Sequence, residues 1–110
     1  MTNEVLITQG AERDLNSAAD YIEHVLLNPQ AADDLLIEAE KMLSALASFP
    51  ERFSLTDDPV LRAWGIRFVP IKNYLAFYVI SEPEQRVYII RFFLKKRDWV
   101  SILKQGIHFK

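Results

Sequence analysis

The sequence predicts an α+β domain: an N-terminal strand, an antiparallel helical hairpin packed on a small curved antiparallel sheet, and a short C-terminal helix. Three observations carry this prediction. Residues 11–48 hold two apolar stripes of helical period, separated by Asn28-Pro29. Residues 62–99 hold three runs rich in Val, Ile, Phe and Tyr, separated by short polar connections at Lys72-Asn73 and at 81–85, which is the pattern of an antiparallel meander. Half of the 110 residues are hydrophobic, enough for one core in a chain of a size that buries roughly 60–70 % of its unfolded surface. A single domain spanning 1–110 is expected.

Taken in order, residues 4–8 read as a strand, with Thr8 placed to cap the first helix. The first helical stripe is Ala11, Leu15, Ala18, Ala19, Ile22 and Leu26, with Glu12 and Asp14 in a first turn where the helix dipole favours acids. Asn28-Pro29 ends this helix and starts the next, Asn as N-cap and Pro at the first helical position. The second helix is expected over 30–48, with its stripe at Ala32, Leu35, Leu36, Ala39, Met42, Leu43 and Leu46. So short a loop makes the pair an antiparallel hairpin. Phe49-Pro50 ends it, and 51–59 is a polar loop. The first meander strand is expected over 61–71, with Gly65 at a bulge; residues 74–80 read as a central strand buried on both faces and 87–94 as the third. Residues 96–105 predict the terminal helix, stopped near Gly106.

Composition narrows the function classes. The absence of cysteine excludes disulfides and thiolate metal sites. No apolar stretch approaches the roughly 20 residues that span a bilayer, and the first 14 residues are too acidic for a signal peptide, so a cytoplasmic protein without membrane contact is expected. The net charge of −2 hides a division: residues 1–50 carry two basic and nine acidic side chains, a balance of −7, and residues 51–110 carry eleven and six, a balance of +5. Such asymmetry fits one surface that meets an anionic partner and another that is a solvated acidic face; a plain distribution of solubility is the competing account.

The basic side chains are therefore the candidates. Arg67 shares its strand face with Val69 and Ile71 and either contacts a partner or pairs within the sheet. Arg91, among Ile90, Phe92 and Phe93, either points into a functional face or makes a buried ion pair. Lys95, Lys96 and Arg97 form a cationic turn. Trp64 and Trp99 read as core and cover for the sheet. His108, in the last five residues, is the one group of the C-terminal half that titrates near neutral pH. His24 reads as a surface residue, and the pairs Asp33-Asp34 and Asp57-Asp58 as helix-start and turn residues, so no metal or other cofactor is expected.

Several segments resemble the RelE/ParE superfamily of toxins from bacterial type II toxin–antitoxin systems. Ala11-Glu12-Arg13-Asp14-Leu15, Tyr21-Ile22, Asn28-Pro29-Gln30-Ala31-Ala32, the run from Leu43 to Leu46 and Phe49-Pro50 are similar to the helical hairpin of ParE-type members. Arg67, Lys72-Asn73-Tyr74-Leu75-Ala76-Phe77-Tyr78, Val87-Tyr88-Ile89-Ile90-Arg91 and Lys96-Arg97-Asp98-Trp99 are similar to the family's sheet and basic corner. The resemblance implies a growth-inhibiting toxin of the plasmid-stabilisation type, neutralised by a cognate antitoxin whose disordered segment folds around it, with operator DNA reached only through that antitoxin. Two mechanisms stay open. A RelE-like member is an endoribonuclease acting on ribosome-bound mRNA, for which Arg67, Arg91, Arg97 and His108 would be catalytic. A ParE-like member poisons DNA gyrase by binding, and Arg62, Lys72, Lys95, Lys96 and Arg97 would then contact the target or the antitoxin. The chain departs from the nuclease pattern where Leu75 follows Tyr74 and where Leu103 stands six residues beyond Arg97. With its long hairpin and an acidic pI of about 5.6, it fits the ParE-like branch better; an inactive relative that only binds antitoxin is the third possibility.

Overall fold

The computed structural model describes residues 2–106. The chain runs β1 (Glu4–Ile7), α1 (Gln9–Asp20), a π turn (Tyr21–Val25), α2 (Pro29–Ser44), short 3₁₀ turns at Ala45–Ala47 and Pro50–Arg52, α3 (Pro59–Ala63), β2 (Arg67–Ile71), β3 (Tyr74–Ser81), β4 (Arg86–Leu94) and α4 (Trp99–Gly106). The four strands form one sheet in the order β1-β4-β3-β2.

The expected punctuation is in place. The Thr8 hydroxyl accepts the Ala11 N–H (3.3 Å) and the Asn28 side chain accepts the Ala31 N–H (3.1 Å), capping α1 and α2. The helical hairpin returns the chain to where β1 began, since the Asn3 N–H donates to Ala47 O at 2.7 Å. The meander starting from that end makes β1 parallel to β4, with Glu4 opposite Arg86 and Ile7 opposite Ile89. The sheet is therefore mixed, where an antiparallel one was expected.

The hairpin covers one face of this sheet, packing Ala11, Ala18, Leu35, Ala39 and Leu43 on Val69, Ala76, Tyr78, Val87, Ile89 and Phe92. The other face carries Leu75, Phe77, Ile90 and Phe93 under Leu61 of α3 and Leu103 of α4, and Trp99 lies on Phe77 with ring centroids 5.0 Å apart. β3, with cores on both sides, is buried through its first five residues, as a nearly unbroken apolar run requires.

A bulge decides where Arg91 goes. Phe77 pairs with Arg91 and Tyr78 with Ile89, so Ile90 is the extra residue. Strict alternation would place residues 87, 89, 91 and 93 on the hairpin face and bury a guanidinium there. The bulge instead gives Val87, Ile89 and Phe92 to that face and Ile90 and Phe93 to the other. Arg91 comes out at the rim.

The structure corrects further expectations. Residues 61–65 are not strand. Asp58 accepts the N–H groups of Val60 and Leu61, both at 3.1 Å, Pro59 fills the first helical position, and the chain leaves α3 through Gly65 at φ 77°. A Lys104–Asp58 ion pair of 3.0 Å ties α3 to α4, and Trp64, expected as core, is 44 % exposed. Leu26 is also out of the core: the π turn adds residues to the last turn of the hairpin's first arm and rotates Leu26 off the stripe.

Thr56 is fully buried and its hydroxyl has no hydrogen-bond partner among the described residues. Thr56→Val removes an orphaned polar atom while keeping the shape. It should stabilise the fold by about 1 kcal/mol, read as a rise in Tm of roughly 4 °C in a thermal melt.

A cationic corner as candidate functional site

Three backbone features assemble the site. The two-residue turn Lys72-Asn73 joins β2 to β3, with Lys72 in the left-handed region at φ 57°. The Asn73 carbonyl accepts the Lys95 N–H at 3.0 Å, so the exit of β4 is fastened beside that turn. The chain then turns through Lys95, Lys96 and Arg97, closed by the Arg97 N–H on Leu94 O at 3.1 Å, and Asp98 caps α4 through the Ser101 N–H at 3.3 Å. Lys72, Lys95, Lys96 and Arg97 thus share one end of the sheet. All four are exposed, and none has an ion-pair partner among the described residues. The Arg97 guanidinium lies 5.3 Å from the centre of the Phe93 ring, a cation–π contact that steadies it.

Tyr74 forms the buried edge of this corner, stacked on Phe92 with centroids 4.9 Å apart and planes within 10°. Its hydroxyl is pushed above the usual tyrosine range, first by burial and then by the nearby Tyr21. Tyr21, 52 % exposed in the π turn, therefore reaches the same end of the molecule. Neither tyrosine stands out in the sequence as a site residue; the adjacency of Tyr74 to the Lys72-Asn73 turn is the signal that was there to find. Tyr78, fully buried and donating to Pro50 O at 2.7 Å, is raised by burial against the opposing pull of Arg67. Both phenols hold their protons more tightly in the folded state. Their contribution is complete below the unfolded tyrosine pKa of about 10 and lost as pH rises through the raised values. The fold should weaken above about pH 10, with the part of the tyrosinate absorbance that belongs to Tyr74 and Tyr78 appearing together with unfolding.

Arg67 does not join the corner, and Arg91 meets it at the Phe93 ring that it shares with Arg97. Arg67 starts the strand that Lys72 follows, roughly 16 Å away along an extended chain. It donates to Phe53 O at 2.7 Å and Glu51 O at 3.4 Å, strapping the loop to the sheet. Arg91 donates to Asp14 through both Nε (2.7 Å) and a terminal nitrogen (3.1 Å), and lies 4.5 Å over Phe93. Asp14 also accepts the Phe92 N–H at 3.0 Å. One carboxylate thereby neutralises Arg91 and covers the edge of β4 beyond the end of β1. Arg91 is thus ion-paired, and its side chain keeps 28 % exposure. Arg62 is exposed on α3, with no ion-pair partner among the described residues. Leu75 is buried and offers no cation to the surface. His108 lies outside the described residues. No group of acids and histidines able to hold a metal ion occurs among the described residues.

A helical hairpin over a four-stranded sheet, with the last strand leading through a basic turn into a terminal helix, defines the RelE/ParE class of fold. Solved structures agree. One is the chromosomal ParDE toxin–antitoxin system of P. aeruginosa, with TM-score 0.69, 16 % identity and coverage of 84 % of this chain and 96 % of the other. A second is the toxin–antitoxin complex RelBE2 of Mycobacterium tuberculosis, with TM-score 0.60, 20 % identity and coverage of 86 % and 100 %. A mutant of the E. coli toxin RelE in the free state gives TM-score 0.61, 13 % identity and coverage of 97 % and 100 %. No curated protein sequence matches the chain significantly. The profile of the family described as the ParE toxin of the type II toxin–antitoxin system, parDE, matches residues 5–99. The chain belongs to this family, and is a toxin of a type II toxin–antitoxin system.

Proposed function

We propose that this toxin acts by binding and not by cutting RNA, and that its target is DNA gyrase, with a cognate antitoxin as the protein that neutralises it. The observation that carries this reading is the internal use of Arg67 and Arg91, two of the three arginines named for a nuclease. Phosphodiester cleavage by an attacking 2′-hydroxyl needs cations converging on one phosphate, with a proton acceptor and donor beside them. Here Arg91 is held by Asp14 and Arg67 by the carbonyls of residues 51 and 53. Lys72, Lys95, Lys96 and Arg97, without ion-pair partners among the described residues, remain on one exposed corner, which suits an acidic protein surface.

The antitoxin reading draws on the family and on the toxin–antitoxin complexes of similar fold. The test is a supercoiling assay with purified gyrase and purified toxin. Loss of supercoiling activity that is restored by adding the antitoxin from the adjoining reading frame is expected. Gyrase that runs at full rate under a large excess of toxin contradicts the reading.

A further inference from the structure

Two turns, one from the helical hairpin and one from the sheet, end the molecule on the same side. The Thr8 hydroxyl donates to Ile89 O at 2.8 Å and Asp14 accepts the Phe92 N–H at 3.0 Å, so α1 and β4 advance in the same direction. At about 1.5 Å per helical residue and about 3.4 Å per strand residue, Tyr21 and Lys95 both lie roughly 10 Å beyond that second contact. α1 lies over β4 and α2 over β2. The segment between the helices, Val25-Leu26-Leu27, therefore overhangs the end of the sheet where Lys72-Asn73 joins β2 to β3. The influence of Tyr21 on the Tyr74 hydroxyl agrees with this placement. Leu94, opposite Tyr74 in the register and two residues from Phe92, belongs to the same side and is exposed.

This end of the molecule thus carries five exposed apolar side chains, Tyr21, Val25, Leu26, Leu27 and Leu94, beside the exposed cations Lys72, Lys95, Lys96 and Arg97. Soluble proteins seldom gather so much apolar surface in one place without a use for it. Leu27, 79 % exposed, has φ 53°, a left-handed conformation ordinarily given to glycine or asparagine just past a helix end. Asp20 and Glu23, the acids next to the turn in sequence, form no ion pair with the four cations among the described residues.

Magnitudes join the turn to the corner. An exposed charge contact strengthens binding about fivefold at most, so four of them give about 1,000-fold, an affinity no better than roughly millimolar. Inhibition by binding needs more, and the rest has to come from apolar burial next to the charges. A nucleic-acid backbone would satisfy the cations and leave the apolar side chains in water. A protein surface with an apolar centre and Asp and Glu along one border satisfies both.

We infer that the turn and the corner are one docking face, on which the inhibited protein sets an apolar patch over Val25-Leu26-Leu27 and acidic side chains on Lys72, Lys95, Lys96 and Arg97. Assigning the corner to the inhibited protein, and calling that protein gyrase, rests on the reading proposed above; the joining of the turn to the corner rests on the geometry.

The test compares Leu27→Asn, Leu27→Met and the variant lacking all four corner cations with the parent. Leu27→Asn suits the left-handed backbone, so its Tm should equal or exceed that of the parent. It should raise about tenfold both the toxin needed to stop supercoiling by purified gyrase and the inducer needed for growth arrest. Leu27→Met keeps an apolar side chain in the same turn and should match the parent. Full potency of Leu27→Asn overturns the inference, and if that variant also fails to co-purify with the antitoxin, the turn belongs to the antitoxin. Equal weakening by Leu27→Met overturns it too, as does undiminished arrest by the four-cation variant beside a weakened Leu27→Asn. If the parent arrests growth but leaves purified gyrase running, the gyrase reading alone falls, and the same comparison read by growth arrest still decides the docking face.

Discussion

Replacing Asp14 with alanine is expected to destabilise the fold by about 3 kcal/mol, lowering Tm by at least 10 °C on the usual scale for a domain of this size. Three donors lose their acceptor at once: two N–H groups of Arg91 and the backbone N–H of Phe92. The side chains of Arg91 and Asp14 are only 28 and 16 % exposed, so water replaces the carboxylate incompletely and a half-buried guanidinium is left unpaired. The value sits at the low end for buried pairs because of that residual exposure. Arg91→Ala in the Asp14→Ala background should add little, and a double-mutant cycle read by chemical denaturation should return a coupling of about 2 kcal/mol. Arg91→Ala that abolished toxicity with Tm unchanged would instead put Arg91 at a functional surface.

Removing the four corner charges together, Lys72→Ala with Lys95→Ala, Lys96→Ala and Arg97→Ala, is the second large effect. Exposed charge contacts contribute roughly 0.5–1 kcal/mol each. The quadruple variant should therefore bind its acidic partner about 30-fold to 1,000-fold more weakly, while each single variant loses only severalfold. Tm should stay within a few degrees, because none of the four has an ion-pair partner among the described residues. The contrast with a catalytic role lies in the single variants: an arginine that stabilises a transition state is worth about 3 kcal/mol alone, so Arg97→Ala by itself would then remove nearly all activity. Titration calorimetry with gyrase, beside growth assays, separates a graded loss from an abrupt one.

The elements that were legible in the sequence are those whose signal is local. Thr8 and Asn28-Pro29 announce two helix starts by chemistry that acts within three residues, and the turn at Lys72-Asn73 sits between runs of period two. Residues 59–65 carry the same kind of local signal, Asp58-Pro59 at the start and Gly65 at the end, but Val60, Leu61 and Trp64 read equally well as strand. Burial of Leu61 against Leu103, 42 positions away, is what favours the helix. The parallel pairing of β1 with β4 depends on where the hairpin returns the chain, which no periodicity records. The π turn is a packing outcome, and it takes Leu26 out of a stripe that the spacing supports.

At the site, the cationic turn is visible as a run of residues. Its joining to Lys72 through Asn73 O, and the quenching of Arg91 by an aspartate 77 positions earlier, are tertiary facts. Position along the chain suggests only a helix-dipole role for Asp14; the acceptor role toward β4 comes from the docking of α1 on that strand.

That the cations of this toxin bind a protein and do not cleave RNA is tested most directly by primer extension on cellular mRNA, after brief induction of the chain without its antitoxin. Growth arrest with mRNA that stays intact is the predicted result; discrete cuts in phase with codons, appearing as growth stops, would contradict it.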